Sequence, residues 1–402
     1  MSDTSPTPPT PITPPAAAPS ASQATLAITA GRTHGSGALA PTLYPTTTFR
    51  VGTVDESRSL ATQVRPTHFY GRYGNPTVSE FEDVIAQLEG AEAARAFASG
   101  MAAISATVLA LCSKGSHVVA SRQLYGGTRQ LLEQVCPRFG IDVTFVDGTE
   151  PGALAGAVIV GRTVLVLAET PANPRLDLVD LDELGAIEGP FTAVDSTFAT
   201  PLGQNPIAHG VDLVIHSASK AIGGHNDAIL GVVAGSADLI EWITGFSHLQ
   251  GGCASPTDAL NALRGIRTLP VRFAQQTATA TAVAEFLACH PSVSEVRYPG
   301  LSTHPQFDLA KRQLRMAGGV LTFDVAGGRA GACSFVDRLK LALHAPSLGG
   351  PETLVCHPAS TTHVGVDPDD LVVDGIGQGT IRLSCGLEAT EDIVADLTQA
   401  LA

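Results

Sequence analysis

The sequence predicts an α/β protein: a mostly parallel sheet covered by helices on both faces, then a smaller α+β domain. Six short apolar runs, "SHVVAS", "DVTFVD", "TVLVLAE", "FTAVD", "DLVIHS" and "ILGVVAG", follow one another between residues 116 and 235, separated by helical segments. Runs of this length without alternation read as strands buried on both faces, the habit of parallel sheets. Near residue 265 the rhythm changes, and isolated strand patterns alternate with long helices. A chain of 402 residues, 44% hydrophobic, is also long enough for two cores.

The elements follow in order. Residues 1–24 read as a disordered tail, because the first 23 hold seven prolines and no lysine or arginine. The tail lacks the charged and apolar regions of a signal peptide and the arginines of a transit peptide. Residues 25–75 are irregular, rich in Thr, Pro, Gly and Tyr, and read as an extended arm. "TVSEFEDVIAQLEG" then predicts a helix with a capping box from Thr77 to Glu80. It carries Phe81, Val84, Ile85 and Leu88 on one face and stops at Gly90. The first domain spans 76–265 and the second 266–402, where a long helix over about 271–290 leads into "VSEVRYPG", "GGVLTFDV", "TIRLSCG" and a last helix, "EDIVADLTQALA".

Charge and composition exclude several functions. A net charge of −14 repels a phosphate backbone, so nucleic acid is not an expected partner. No apolar run approaches the roughly 18–20 residues of a membrane helix, so no membrane role is expected. Seven scattered cysteines without a CxxC pair suit a reduced, cytoplasmic enzyme.

The residues with chemistry fall at strand ends, where doubly wound sheets bind ligands. "LAETPANP" brings Glu169 and Asn173, "VDSTFATP" brings Asp195, and "HSASK" brings Lys220. In "FASGMAAI", Ser99 and Gly100 open a helix whose first N–H groups, at Gly100 and Met101, are free to face an anion. Lys220 follows an apolar run, and a buried ammonium must be paired or neutralised. It reads as a lysine reaching solvent, as an acyl-transfer nucleophile in an S-x-x-K match, or as a Schiff-base lysine. The acyl-transfer reading fails for want of S-D-N and K-T-G elements. The third reading fits pyridoxal 5′-phosphate, which needs a lysine, an acid for its ring nitrogen and a phosphate cradle such as Ser217 and Ser219. Cys356, His357 and His363 form no second pair with zinc-ligand spacing, so no metal is expected.

At this point the residues resemble a known family, the pyridoxal-phosphate enzymes of cysteine and methionine metabolism. These include cystathionine γ-synthases, cystathionine lyases, methionine γ-lyases and acylhomoserine sulfhydrylases. The likeness runs from about residue 25 to 402 and is carried by "YGRYGNPT", "SGMAAI", "LYGGT", "ETPANP", "VDSTFATP", "HSASKAIGGHND", "SPTDALNALRGIRTL", "YPGL", "SLGGPETLVCHPASTTH" and "IRLSCGLE". It implies the pyridoxal-phosphate-dependent transferase fold of type I, with a seven-stranded sheet and a smaller C-terminal α+β domain. It implies that Lys220 holds the cofactor and moves protons, that Asp195 pairs with the ring nitrogen and that Tyr125 stacks on the ring and assists proton transfer. Gly100, Met101, Ser217 and Ser219 then hold the phosphate, joined by Tyr70 and Arg72 from a neighbouring subunit, and Asn173 lies near the ring hydroxyl. Arg382, with Ser347, takes the substrate carboxylate. A site shared in this way implies a homo-oligomer, a dimer of dimers, acting on a small amino-acid substrate.

The chain departs from the family pattern at Ser196, Ser219 and Ala221, where Asn, Thr and an aromatic are commoner. Cystathionine lyases often carry acids where this chain has Phe69 and Pro346, and methionine γ-lyases a cysteine where it has Gly127. These positions predict an apolar, roomy pocket without partners for a distal ammonium. The expected activity is γ-elimination or γ-replacement on a sulfur amino acid or an O-acylhomoserine. β-Elimination from cystathionine or cysteine, or a non-catalytic fold relative, are the alternatives.

Overall fold

The computed structural model describes residues 21–31 and 37–402. Most of the tail expected over 1–24 therefore lies outside the described residues. The described part of the N-terminal segment departs from the extended, irregular arm the sequence predicts. A helix, Gln23–Thr29, starts where Ser22 accepts the Thr25 N–H, and a second spans Val54–Thr62. Ala27 of the first is buried among Phe81, Ile85 and Leu88, so this end of the arm joins the core.

The main sheet has seven strands: β1 (Ala93–Phe97), β2 (His117–Ser121), β3 (Asp142–Val146), β4 (Thr163–Glu169), β5 (Phe191–Asp195), β6 (Leu213–His216) and β7 (Gly231–Gly235). Their order is β1-β7-β6-β5-β4-β2-β3. All neighbours are parallel except those of β7, which is antiparallel to both β6 and β1. Strand β1 therefore runs with the majority, and its carboxyl end joins theirs. The chain order reverses between β2 and β4, the switch point where such sheets bind ligands. All six apolar runs are strands here. The seventh, "AARAF", lacked a sequence signal because alanine has little strand preference and Arg95 breaks the run. Arg95 is nevertheless buried, 3.6 Å from the equally buried Glu82.

The helix facing β1 spans Pro76–Glu89, and its cap corrects the expected one. Asn75, not Thr77, accepts at the N-terminus, taking the Thr77 N–H at 2.9 Å, with Pro76 in the first turn. Thr77 turns its hydroxyl to the arm, donating to the Thr42 carbonyl at 2.7 Å and accepting from Tyr44 N at 2.9 Å. The register survives because packing outweighs the cap. Phe81, Ile85 and Leu88 are fully buried, each worth roughly 1.5–3 kcal/mol against about 1 kcal/mol for a cap.

The second sheet comprises β8 (Val293–Arg297), β9 (Val320–Val325), β10 (Leu343–His344), β11 (Leu354–Cys356) and β12 (Thr380–Ser384), in the order β10-β11-β12-β9-β8. It is backed by the Thr390–Leu401 helix, with Phe323, Phe335, Ile381 and Leu397 in its core. Between the sheets runs one helix, Pro256–Ala288, longer than the 271–290 predicted. Pro270 lies within it; a proline forfeits one helical bond and makes a sequence reading restart there. The boundary expected at 265/266 falls inside this helix.

The long helix also shapes the loop after Lys220. A Cβ at Gly265 would lie 2.1 Å from the Gly223 carbonyl, so only glycine permits this approach. The buried Arg272 donates to the Ala221 carbonyl at 2.9 Å and the Gly265 carbonyl at 2.7 Å, tying loop to helix. Among the described residues no helix is long and apolar enough to cross a membrane.

Candidate active site

A cavity of about 690 Å³ opens at the carboxyl ends of the main sheet and is closed by residues of the second sheet's domain. That volume suits a small cofactor with an amino acid. Five strand ends feed it: Ser99–Met101 after β1, Tyr125 after β2, Glu169 on β4, Asp195 on β5, and Ser217–Lys220 after β6. Pro346, Ser347 and Arg382 face them from the other side.

Lys220 sits in a tight turn, with Lys220 N donating to Ser217 O and Gly224 N to Lys220 O. Its Nζ donates to Ser347 Oγ at 2.9 Å. Burial, and then the charge of Arg382, lower its pKa to about 8. Near pH 8 about half of such amines are neutral, against roughly one in 250 for an ordinary lysine. Ser347 holds a left-handed backbone, φ 91°, uncommon for a non-glycine residue. Its carbonyl accepts from Arg382 Nη2 at 2.9 Å while Asn173 Oδ1 accepts from Nη1 at 2.7 Å. Both acceptors are neutral, so the buried guanidinium keeps its charge for an anion.

Asp195 and Glu169 are cross-strand partners at the ends of β5 and β4. Asp195 Oδ1 accepts from Thr197 N at 3.0 Å and Thr197 Oγ1 at 2.5 Å, and that hydroxyl accepts from Ser217 N at 2.8 Å. Burial raises the Asp195 pKa, against the Thr197 bonds and the nearby His216. Glu169 is raised well above the usual range, first by burial and then by Asp195. Two adjacent buried acids call for a proton or a cation between them and the ligand.

Gly100 and Met101 begin the Gly100–Leu111 helix, capped where Ser99 Oγ accepts from Ala102 N. A Cβ at Gly100 would meet that of Ser217 at 2.7 Å, so the helix start and the serine loop close around one point. Ser219 is already engaged, its hydroxyl accepting from Leu230 N at 2.8 Å and lying 3.2 Å from the Leu230 carbonyl. Tyr125 is part-exposed over the cavity. Gly127 makes room for its ring, since a Cβ there would lie 2.6 Å from Tyr125 Cε1 and 3.2 Å from Met101 Sδ.

Phe69, Tyr70 and Arg72 do not line this cavity within one chain. Arg72 packs its guanidinium on Tyr73, 4.6 Å from the ring centroid, and donates to the His248 carbonyl. Tyr70 is 43% exposed.

Four polar lining residues were given no role from sequence: Thr197, Asn226, Glu352 and Thr362. Glu352 places an acid on a wall where the sequence predicts no partner for a distal ammonium, and it accepts from Asn226 Nδ2 at 2.7 Å. Its signal was present, since "SLGGPETL" places an acid five residues beyond Ser347. His357 spends both ring nitrogens on Ser360 Oγ and the Gln378 carbonyl. Among the described residues no cluster of His, Cys, Asp and Glu is arranged to hold a metal.

A lysine of lowered pKa, an acid at the next strand end, and a helix start facing a serine loop fit one cofactor. They define the site of a pyridoxal-phosphate-dependent enzyme. A family model described as Cys/Met metabolism PLP-dependent enzyme matches residues 24–402, and the chain belongs to that family. It is 43% identical over 335 residues to cystathionine gamma-synthase 1, chloroplastic, of Arabidopsis thaliana, covering 83% of this chain and 60% of that one. It is 40% identical to L-methionine gamma-lyase of Fusobacterium nucleatum, covering 91% and 94%. The crystal structure of metB from Corynebacterium glutamicum superposes with a TM-score of 0.89 at 35% identity, covering 95% and 98%. The fold is type I, and the chemistry is γ-elimination or γ-replacement.

Proposed function

We propose that this enzyme acts on an O-acylhomoserine or a methylthio amino acid, with Lys220, Asp195 and Tyr125 as its catalytic residues. The carrying observation is the chain Lys220 Nζ–Ser347–Arg382, in which one serine contacts both the amine and the guanidinium. A substrate carboxylate held in the Arg382 fork puts its Cα beside Lys220, which takes and returns the proton there. Bound pyridoxal phosphate supplies the electron sink for that step. Asp195 would pair as a carboxylate with the ring nitrogen. Gly100, Met101 and Ser217 would hold the phosphate, with Ser219 joining if its hydroxyl turns from Leu230. Tyr125 would cover the ring and handle the proton of the leaving group.

Ile229 and Leu343 give the outer wall an apolar character. Phe69 and Pro346 offer no charge to a distal ammonium, which supports a neutral γ-substituent over cystathionine; against it stands Glu352, an acid at the wall whose bonded partner, Asn226, is neutral. The test is the keto acid released from O-acylhomoserines, methionine, cystathionine and cysteine, with and without a thiol. We expect 2-oxobutanoate from the first two, suppressed by thiol if replacement is the native reaction. Pyruvate alone would assign β-elimination instead.

The reading includes a homotetramer, a dimer of dimers, working in a reduced, cytoplasmic setting. The position of Tyr70 and Arg72 outside their own chain's cavity supports the first, and seven free cysteines support the second. Mixing inactive Arg72→Ala with inactive Lys220→Ala subunits is expected to restore up to about a quarter of wild-type activity, because random pairing rebuilds one intact site in half the dimers. No recovery after exchange would mean that each site draws Arg72 from its own chain.

A further inference from the structure

Glu169 is buried at the end of β4, yet its carboxyl group is divided between two loops. Oε2 accepts the Tyr125 N–H at 2.6 Å and Oε1 accepts the Asn173 N–H at 2.8 Å. Tyr125 immediately precedes the Gly126–Gln130 helix, 44 residues earlier in the chain. Asn173 in turn receives Arg382 from the other domain at 2.7 Å. One carboxyl group thus joins the aromatic cover to the carboxylate-binding arginine, through two backbone donors and one amide. An apolar side chain would fill this volume without the penalty of burying a carboxyl beside Asp195, so the geometry of the two bonds is what the acid contributes.

We infer that Glu169 is a positioning residue, which sets the separation between Tyr125 and the Asn173–Arg382 pair and so the affinity of the site for a substrate carboxylate. This rests on the role given to Arg382 above. Glutamine keeps the shape but offers one acceptor oxygen. Its NH₂ faces the second N–H, so one of the two loops is released.

The probe is butanoate, titrated into holoenzyme and followed by the cofactor's absorbance. Glu169→Gln is expected to retain covalently bound cofactor but to bind butanoate about tenfold more weakly, the scale of one buried donor left without its acceptor. Asn173→Ala should lose a similar factor. The double variant should lose little more than either alone, because both act through Arg382. Wild-type affinity in Glu169→Gln, or losses that multiply to about a hundredfold, would overturn the inference. If Glu169→Gln does not fold, Glu169→Asp, too short to reach both donors, gives the same reading, and undiminished affinity there would refute it equally. Wild-type enzyme that fails to bind butanoate would instead refute the role of Arg382, a separate outcome.

Discussion

Lys220→Ala is expected to yield a folded protein in which borohydride reduction fixes no pyridoxyl group to the chain, with turnover lowered by about four orders of magnitude. Among the described residues Lys220 is the only lysine lining the cavity, so no other amine there stands in for it. In the proposed role the same side chain holds the cofactor and moves the proton at Cα, so the loss should exceed that of a general base alone. Its pKa near 8 makes a second arm of the test. Only the neutral amine attacks the cofactor's aldehyde, so loading of apoprotein should speed up as pH rises towards 8 and level off above it. Folding should survive, because the turn is held by backbone bonds and by Arg272 at Ala221 rather than by the amine. A variant that still acquires a reducible label, or wild-type loading that climbs steadily to pH 10, would refute the assignment.

The strand ends were the legible part of this molecule. A parallel sheet buried on both faces writes its strands as apolar runs, and the runs closed by Glu169, Asp195 and Ser217 end at the cavity. That is why Glu169, Asp195 and the "HSASK" loop could be picked out before their neighbours were known. The Schiff-base role proposed for Lys220 followed from chemistry, whereas those proposed for Tyr125, Asn173, Arg382 and Ser347 came with the family resemblance. Bridges between distant segments left no local pattern. Thr197, joining Asp195 to Ser217, reads as one more threonine after a strand. Glu169 showed as an acid at a strand end, but its partners lie 44 residues away and in its own loop. Strand β1 and the first half of the long helix were hidden for local reasons, by alanines in one case and by Pro270 in the other.

Asp195→Asn separates what the site needs for catalysis from what the fold needs. The asparagine Oδ1 can still accept from Thr197, so the link to Ser217 survives. What disappears is the negative charge towards the ring nitrogen, and kcat should fall by about two to three orders of magnitude, the scale of a misplaced electrostatic partner. Stability of the apoprotein should move the other way. Burial raises the folded-state pKa of both Asp195 and Glu169, and Asp195 raises that of Glu169 further. Over the range between the unfolded carboxylate pKa and these raised values, the folded state binds more protons than the unfolded. Stability therefore declines as pH rises through that range, and the decline is complete above it. Asparagine has no proton to lose and relieves Glu169 of its neighbour's charge. Apo Asp195→Asn should accordingly be at least as stable as apo wild type at pH 7, with a shallower fall as pH rises above the unfolded carboxylate pKa of about 4. The two apoproteins can be compared by denaturant unfolding at several pH values. A variant that loses apoprotein stability at neutral pH would make Asp195 a structural residue, whereas one that loses only turnover places its strain in the service of the reaction.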